Sequence, residues 1–368
     1  MSDVLVVGCG LLGTSAGLAL QGSDIGDVTL WDRDPGAVDL AVSRGAGRAW
    51  NGEERARIAV VAVPPKATAP ELLRLQVLDV ARTYTHVASV QSHVEAEVQA
   101  LSSDPSRIVG GHPLAGREVS GGGAALADLF VGRPWAVCRH ENAASDAVDE
   151  VRALARACGA IPLEVQAKQH DAAVALVSHL PQVVSSALAA LLLGAPGSQE
   201  PPLLELSGPG LADTTRLAAS SPSLWSEVLE ANAWHVAPAV RRLAADLGRL
   251  ASNLEVLAGA HDGDRASALS GLEDLLVRGN AGRRLVPVKR GELAGSFAGV
   301  RVDLPDEPGR LADLLRAAGE AGVNVEDLRV EHVPGRPRGV VELLVAPARA
   351  GGLAQALSTA GWKVSLST

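Results

Sequence analysis

From Val4 to about Pro162, short β-branched runs alternate with longer Ala/Leu-rich stretches of helical period. A parallel sheet covered by helices on both faces requires this order, because strands buried on both sides read as continuous apolar runs. Residues 4–7, 28–31, 58–63, 86–90, 107–109 and 135–138 are the predicted strands, and Pro64-Pro65 ends the third abruptly. The pattern predicts a doubly wound α/β domain over residues 1–163.

Between about residues 165 and 260 the strand signals vanish and Ala/Leu periodicity takes over, broken at 194–202 and by Pro209 and Pro222. This predicts an all-helical domain over 164–282. Its apolar faces at 183–193 and 243–257 carry more hydrophobic surface than one small bundle buries, so the expected state is a homodimer. Residues 283–297 mix Gly with basic side chains and are assigned as a linker. Strand and helix patterns return over 298–368, a third, small α+β domain.

A chain of 368 residues supports two or three domains of roughly 150 residues each. The longest apolar runs are interrupted by serines and fall short of the ~20 residues that span a bilayer. The N-terminus enters a strand at once, without the basic-then-apolar order of a secretory signal. No membrane association is predicted, and the expected location is the cytoplasm. Cys9, Cys138 and Cys158 are too few and too widely spaced for a disulfide framework or a zinc site. A net charge of −9 argues against a nucleic-acid partner, and the nine histidines include no metal-ligand spacing.

The first strand runs into Gly8-Cys9-Gly10-Leu11-Leu12-Gly13, which opens an Ala/Leu helix ending near Leu20. This is the strand, turn and helix that a dinucleotide fingerprint needs, and it marks the domain as Rossmann-type. Gly8 permits the turn, Gly10 lets the backbone approach a pyrophosphate, and Gly13 allows close helix packing. Leu11 and Leu12 supply free N–H groups at a positive helix end. Asp32, closing the second strand, suits the two ribose hydroxyls of NAD and repels a 2′-phosphate. Arg33 follows directly and is able to hold that phosphate, so NADP stays open. Gly13-Thr14-Ser15-Ala16-Gly17 also matches the nucleophile elbow of hydrolases, but Ser15 falls inside the helix rather than at the strand end.

Residues 108–109 lead into Gly110-Gly111-His112-Pro113-Leu114-Ala115-Gly116, which places His112 on a glycine-lined loop at a carboxyl edge of the sheet. Imidazole titrates near neutrality, so His112 suits removal of a hydroxyl proton while hydride leaves the same carbon. Ser89 either orients His112 or a substrate oxygen in that crevice, or caps the helix that follows. In Val177-Ser178-His179-Leu180-Pro181-Gln182 the proline must distort its helix, and His179 is either a site residue or a satisfied core histidine. Arg216, in Asp213-Thr214-Thr215-Arg216, either binds a carboxylate through both guanidinium nitrogens or pairs with Asp213.

Taken in order, these motifs resemble the prephenate dehydrogenase family over residues 3–290. The resemblance implies NAD-dependent oxidative decarboxylation of prephenate to 4-hydroxyphenylpyruvate. His112 would act as the base and Ser89 would orient it. Arg216 would bind a substrate carboxylate, and Glu118, His179, Gln182 and Trp225 would shape the pocket. Many relatives carry a second histidine where Gln182 stands; a neutral residue there favours the keto acid prephenate over arogenate. The tail, with Asp306-Glu307-Pro308-Gly309-Arg310-Leu311 and Gly322-Val323-Asn324-Val325, resembles an ACT domain, a βαββαβ module. That implies an amino-acid effector, tyrosine, at the Pro308-Gly309 loop or Asn324, or else a purely structural dimerisation module. Two further readings remain: an arogenate dehydrogenase, and a non-enzymatic amino-acid sensor on the same scaffold.

Overall fold

The computed structural model describes residues 2–117, 119–194, 206–259, 263–289, 292–293, 297–332 and 337–367. The chain forms two compact units, 1–244 and 245–368.

The first unit is built on strands β1 (Ser2–Val7), β2 (Val28–Trp31), β3 (Arg48–Ala49), β4 (Ala56–Val61), β5 (Ala81–His86), β6 (Ile108–Pro113), β7 (Pro134–Cys138) and β8 (Ile161–Val165). They form one sheet in the order β3-β2-β1-β4-β5-β6-β7-β8. Strands β1 to β6 run parallel, β7 is antiparallel to β6, and β8 is parallel to β7. Helices α1 (Leu11–Leu20), α2 (Pro35–Ser43), α3 (Pro65–Val77), α4 (Ser92–Leu101) and α5 (Ser145–Ala157) connect them.

Alternation along each strand divides the core in two. Val4 and Val6 of β1 pack with Leu20, Val151 and Leu154, whereas Leu5 and Val7 pack with Leu72, Leu75, Val94 and Val98. Each fully buried Val or Leu contributes about 1.5–3 kcal/mol. The strand expected at 86–90 is instead Ala81–His86, and Val87, Ala88 and Val90 form a buried loop after it. β3 and β8 lie where the pattern placed no strand: one is two residues long, and the other is an edge strand with exposed Ile161 and Leu163. Strand β6 extends to Pro113, so His112 stands within a strand, paired with Ala136 of β7, rather than on the expected loop.

After the sheet come α6 (Ala167–Val174), a π-helical turn at Ala175–His179 and α7 (Leu180–Gly194). Pro181 has no N–H to offer the preceding turn, and the widened turn stands at that place. The distortion therefore does not end the helix. The run Ala167–Leu193 is 27 residues with hydropathy 1.7, long and apolar enough by length and composition to cross a bilayer, which exceeds the sequence expectation. It nevertheless holds hydrogen-bonded His170, Asp171, His179 and Gln182, all buried. Helices α8 (Pro209–Thr215), α9 (Pro222–Ala231) and α10 (Ala233–Leu257) follow.

In the second unit, α11 (Arg265–Arg284) lies along the later part of α10, where Arg278 reaches Asp246 at 3.4 Å and Asp274 at 2.8 Å. A short hairpin, β9 (Pro287–Lys289) and β10 (Glu292–Leu293), precedes β11 (Ala298–Pro305), α12 (Arg310–Glu320), β12 (Asp327–His332), β13 (Arg338–Val345), α13 (Pro347–Thr359) and β14 (Lys363–Ser367). The last four strands make an antiparallel sheet in the order β12-β13-β11-β14, with its own core of Val300, Val302, Leu314, Leu343 and Leu353.

Candidate active site

The carboxyl edge of the parallel strands gathers the candidate residues, and the crossover direction reverses beside β1, where ligands enter such sheets. Gly8 has φ +103, and a Cβ there would stand 2.4 Å from the Ala62 carbonyl oxygen. A Cβ on Gly13 would stand 1.9 Å from the Gly8 oxygen, so only glycine lets α1 pack this closely. A Cβ on Gly10 would meet nothing within 4 Å, leaving open space over the turn. Helix α1 has no side-chain cap and no acidic residue in its first turn, so the N–H groups around Leu11 and Leu12 face that space. Asp32 Oδ2 accepts the Cys9 N–H at 2.7 Å and Oδ1 accepts the Asp34 N–H at 2.9 Å, which holds the carboxylate beside the turn; Arg33 is exposed next to it. These residues fit a dinucleotide.

Ser15 is buried in α1, and its hydroxyl accepts the Leu126 N–H at 3.0 Å, a structural bond that leaves it no nucleophilic role. All three cysteines are buried and free. Burial, with Asp32 nearby, pushes the Cys9 thiol up to about 12, and burial pushes Cys158 up to about 12.

His112 Nδ1 lies 2.8 Å from His170 Nε2, and the two rings meet edge to face with centroids 5.0 Å apart. His170 Nδ1 lies 2.8 Å from Asp171 Oδ1. The same carboxylate accepts the backbone N–H groups of Gln91 and Ser92, each at 2.8 Å. Gln91 in turn donates its side-chain amide to the carbonyls of Ala88 and Gly111, tying the loop after β5 to β6. Burial, then the neighbouring His170, His179 and His86, pushes His112 down to about 3, so its imidazole is neutral near pH 7. Burial would raise the Asp171 carboxyl, but the hydrogen bonds from His170 and the two backbone groups hold it below its ordinary value.

Asn232 extends the cluster. Its amide nitrogen donates to the Asp171 carbonyl at 2.9 Å and lies 3.1 Å from His179 Nδ1. A carbonyl only accepts, which assigns the amide nitrogen to that side and makes His179 Nδ1 an acceptor. His179 is buried edge-on against Trp225, with centroids 5.8 Å apart, and burial pushes it down to about 4. Gln182 donates to the Leu217 carbonyl at 2.9 Å, and Ser185 accepts the Ala218 N–H at 3.1 Å. Together they anchor the 3-10 turn that begins at Arg216, an exposed side chain. Gln182 therefore spends its amide nitrogen on holding this turn.

The sequence reading missed His170, Asp171, Gln91 and Asn232. The only local signal was the adjacent His-Asp pair opening the helical segment. Ser89 lies in the loop after β5, not at a helix cap, and makes no side-chain hydrogen bond among the described residues; His112 instead meets His170. Glu118 lies outside the described residues.

A neutral imidazole at the same sheet edge as a dinucleotide turn is the arrangement of an oxidoreductase that removes a hydride and a hydroxyl proton from one carbon. More narrowly, the chain belongs to the prephenate dehydrogenase family. Residues 16–163 match the nucleotide-binding domain of prephenate dehydrogenase, and residues 166–267 match its dimerization domain. The probable prephenate dehydrogenase NovF of Streptomyces niveus is 36% identical over 366 residues, covering 98% of this chain and 99% of that protein. Prephenate dehydrogenase of Lactococcus lactis subsp. cremoris is 25% identical over 352 residues, covering 91% and 92%. The structure of A. aeolicus prephenate dehydrogenase in complex with hydroxyphenyl propionate and NAD+ superposes with a TM-score of 0.65 at 23% identity, over 76% of this chain and 98% of that one, and shows the shared fold.

Proposed function

We propose that the chain catalyses NAD-dependent oxidative decarboxylation of prephenate to 4-hydroxyphenylpyruvate, with His112 as the base. The observation that carries this reading is the buried, neutral imidazole of His112 at the carboxyl edge of β6, anchored through Nδ1 and, among the described residues, with no partner at Nε2. When bound, NAD supplies the hydride acceptor. Gly8, Gly10, Leu11, Leu12 and Gly13 hold its pyrophosphate by backbone N–H groups, Asp32 takes the ribose hydroxyls, and Arg33 flanks them. Arg216 pairs with a substrate carboxylate. His179, Gln182 and Trp225 wall the pocket, and Ser89 meets the hydroxyl that reacts.

His112 removes the ring hydroxyl proton as the C–H hydride departs and a carbonyl forms. The ring C–COO⁻ bond then breaks, its electron pair aromatises the ring, and the former carbonyl oxygen recovers a proton from His112 as phenol. Charge and protons balance without a net proton released, so His112 holds the proton only between the two steps.

The regulatory and assembly readings rest on the second unit and the helices. The β12-β13-β11-β14 antiparallel sheet with two helices suits an ACT-type module over residues 298–368; the linker at 283–297 before it takes in the end of α11 and the β9-β10 hairpin. Tyrosine would bind at the Pro308-Gly309 loop, where Gly309 has φ +88, or at Asn324. The helical domain, residues 164–282, exposes Leu191 at 70%, Leu193 at 85% and Trp234 at 87%, surface that a homodimer would cover, and the proposed location is the cytoplasm. Domain 1–163 carries the cofactor.

The test is reduced-cofactor absorbance with prephenate and, separately, arogenate, each with NAD or NADP and with or without tyrosine. Rapid NAD reduction with prephenate supports the reading. A chain that turns over arogenate alone, or neither substrate, overturns it.

A further inference from the structure

Hydrogen-bond chemistry assigns every proton along the chain of groups behind His112. Asp171 is an ionised carboxylate and accepts only, so His170 Nδ1 must carry the proton between them at 2.8 Å. If His170 carries that one proton alone, its Nε2 is bare and at the 2.8 Å contact His112 Nδ1 is the donor. His112 is then left with its lone pair on Nε2, which has no protein partner among the described residues. The whole pair is inaccessible to water, with His170 at 3% and Asp171 at 1% exposure.

We propose that His170 and Asp171 are positioning residues for the reaction: they fix the tautomer of His112 that presents a basic Nε2, and they stabilise the imidazolium while it holds the substrate's proton. The inference rests on His112 being the base. When Nε2 takes the proton, the positive ring donates through Nδ1 to His170, whose other nitrogen already points at a negative carboxylate. The arrangement acts like the carboxylate behind a catalytic imidazole, lengthened by one ring. Asp171 is held by two backbone N–H groups at the start of α4, while its own chain belongs to α6. The contacts of the pair with His112 and with the start of α4 therefore form only when the sheet domain and the helical segment meet, which links correct packing of the two to a working base.

The test uses the full-length chain labelled with ¹⁵N-histidine, the His112 signals being assigned by their loss in His112→Asn. The expected tautomer of His112 in the unmodified protein has Nδ1 protonated and Nε2 bare; the opposite tautomer overturns the proposal without needing any variant. His170→Asn and Asp171→Asn are expected to lower kcat on the order of 10²-fold or more while KM for prephenate and NAD stays within about threefold. They should also give a mixed His112 tautomer, which a purely structural role would not produce. If His112→Asn abolishes turnover while both other variants keep kcat within about threefold, the positioning role is wrong and the base assignment stands. If His112→Asn itself turns over normally, the base assignment fails and takes this inference with it.

Discussion

Asn232 donates its side-chain amide to the main-chain carbonyl of Asp171 at 2.9 Å, across 61 residues of sequence, and the same nitrogen lies 3.1 Å from His179 Nδ1. One buried amide thus sets both the segment that carries Asp171 and the ring orientation of His179. Asn232→Ala leaves two buried acceptors without a donor and is expected to cost about 1–3 kcal/mol in urea unfolding. Asn232→Asp should cost more, because a carboxylate would face the Asp171 carbonyl. Equal stability of all three proteins would show that the bonds contribute nothing.

The glycine turn separates stability from binding. Gly10→Ala adds a methyl to open space, so the unfolding free energy should stay unchanged while NAD titration shows weaker binding. Gly13→Ala drives a Cβ to 1.9 Å from the Gly8 oxygen and should destabilise the fold by roughly 1–3 kcal/mol. The reverse ranking would place the cofactor elsewhere.

Asp32 should set the choice between NAD and NADP. Asp32→Ala removes the acceptor for the ribose hydroxyls and the charge that repels a 2′-phosphate, with Arg33 left beside the site. KM for NAD is expected to rise about tenfold or more, as for loss of a charged hydrogen bond, and KM for NADP to fall. Initial rates with each cofactor decide this.

Acid should weaken the fold through its buried imidazoles. Burial pushes His86 and His112 down to about 3 and His179 down to about 4, against 6.5 for an ordinary histidine. Between those values the unfolded chain binds more protons than the folded one, so stability rises with pH through the window. The contribution is complete above about pH 6.5 and is lost as pH falls towards 4. Urea midpoints measured from pH 7.5 to 4.5 should decline, and His86→Gln should decline less steeply. A flat midpoint across the range would mean that these rings are charged in the folded state.

Much of this molecule is written locally. The turn from Gly8 to Gly13 and the carboxylate of Asp32 are legible because a strand, a tight turn and a helix start need particular residues at adjacent positions. The β5 strand was misplaced because Ala81-Arg82-Thr83-Tyr84-Thr85-His86 is polar in composition yet mostly buried, while the apolar Val87 to Val90 stretch is a loop packed inside. Side-chain burial there is decided by neighbouring strands, not by the residue types. The length of the α6 to α7 helix was likewise hidden, since Pro181 signalled a break that the π turn absorbs.

By itself the sequence determined the glycine turn between the first strand and helix, the alternation of strand and helix, and the helical segment after it, and it marked His112 as a candidate. Only the tertiary structure decided how that imidazole is held, because its partner His170 lies 58 residues away and the Gln91 N–H that orients Asp171 lies 80 residues from it. Such bonds carry no spacing rule: they exist only where folding has brought a strand end, a helix start and a buried helix together with water excluded.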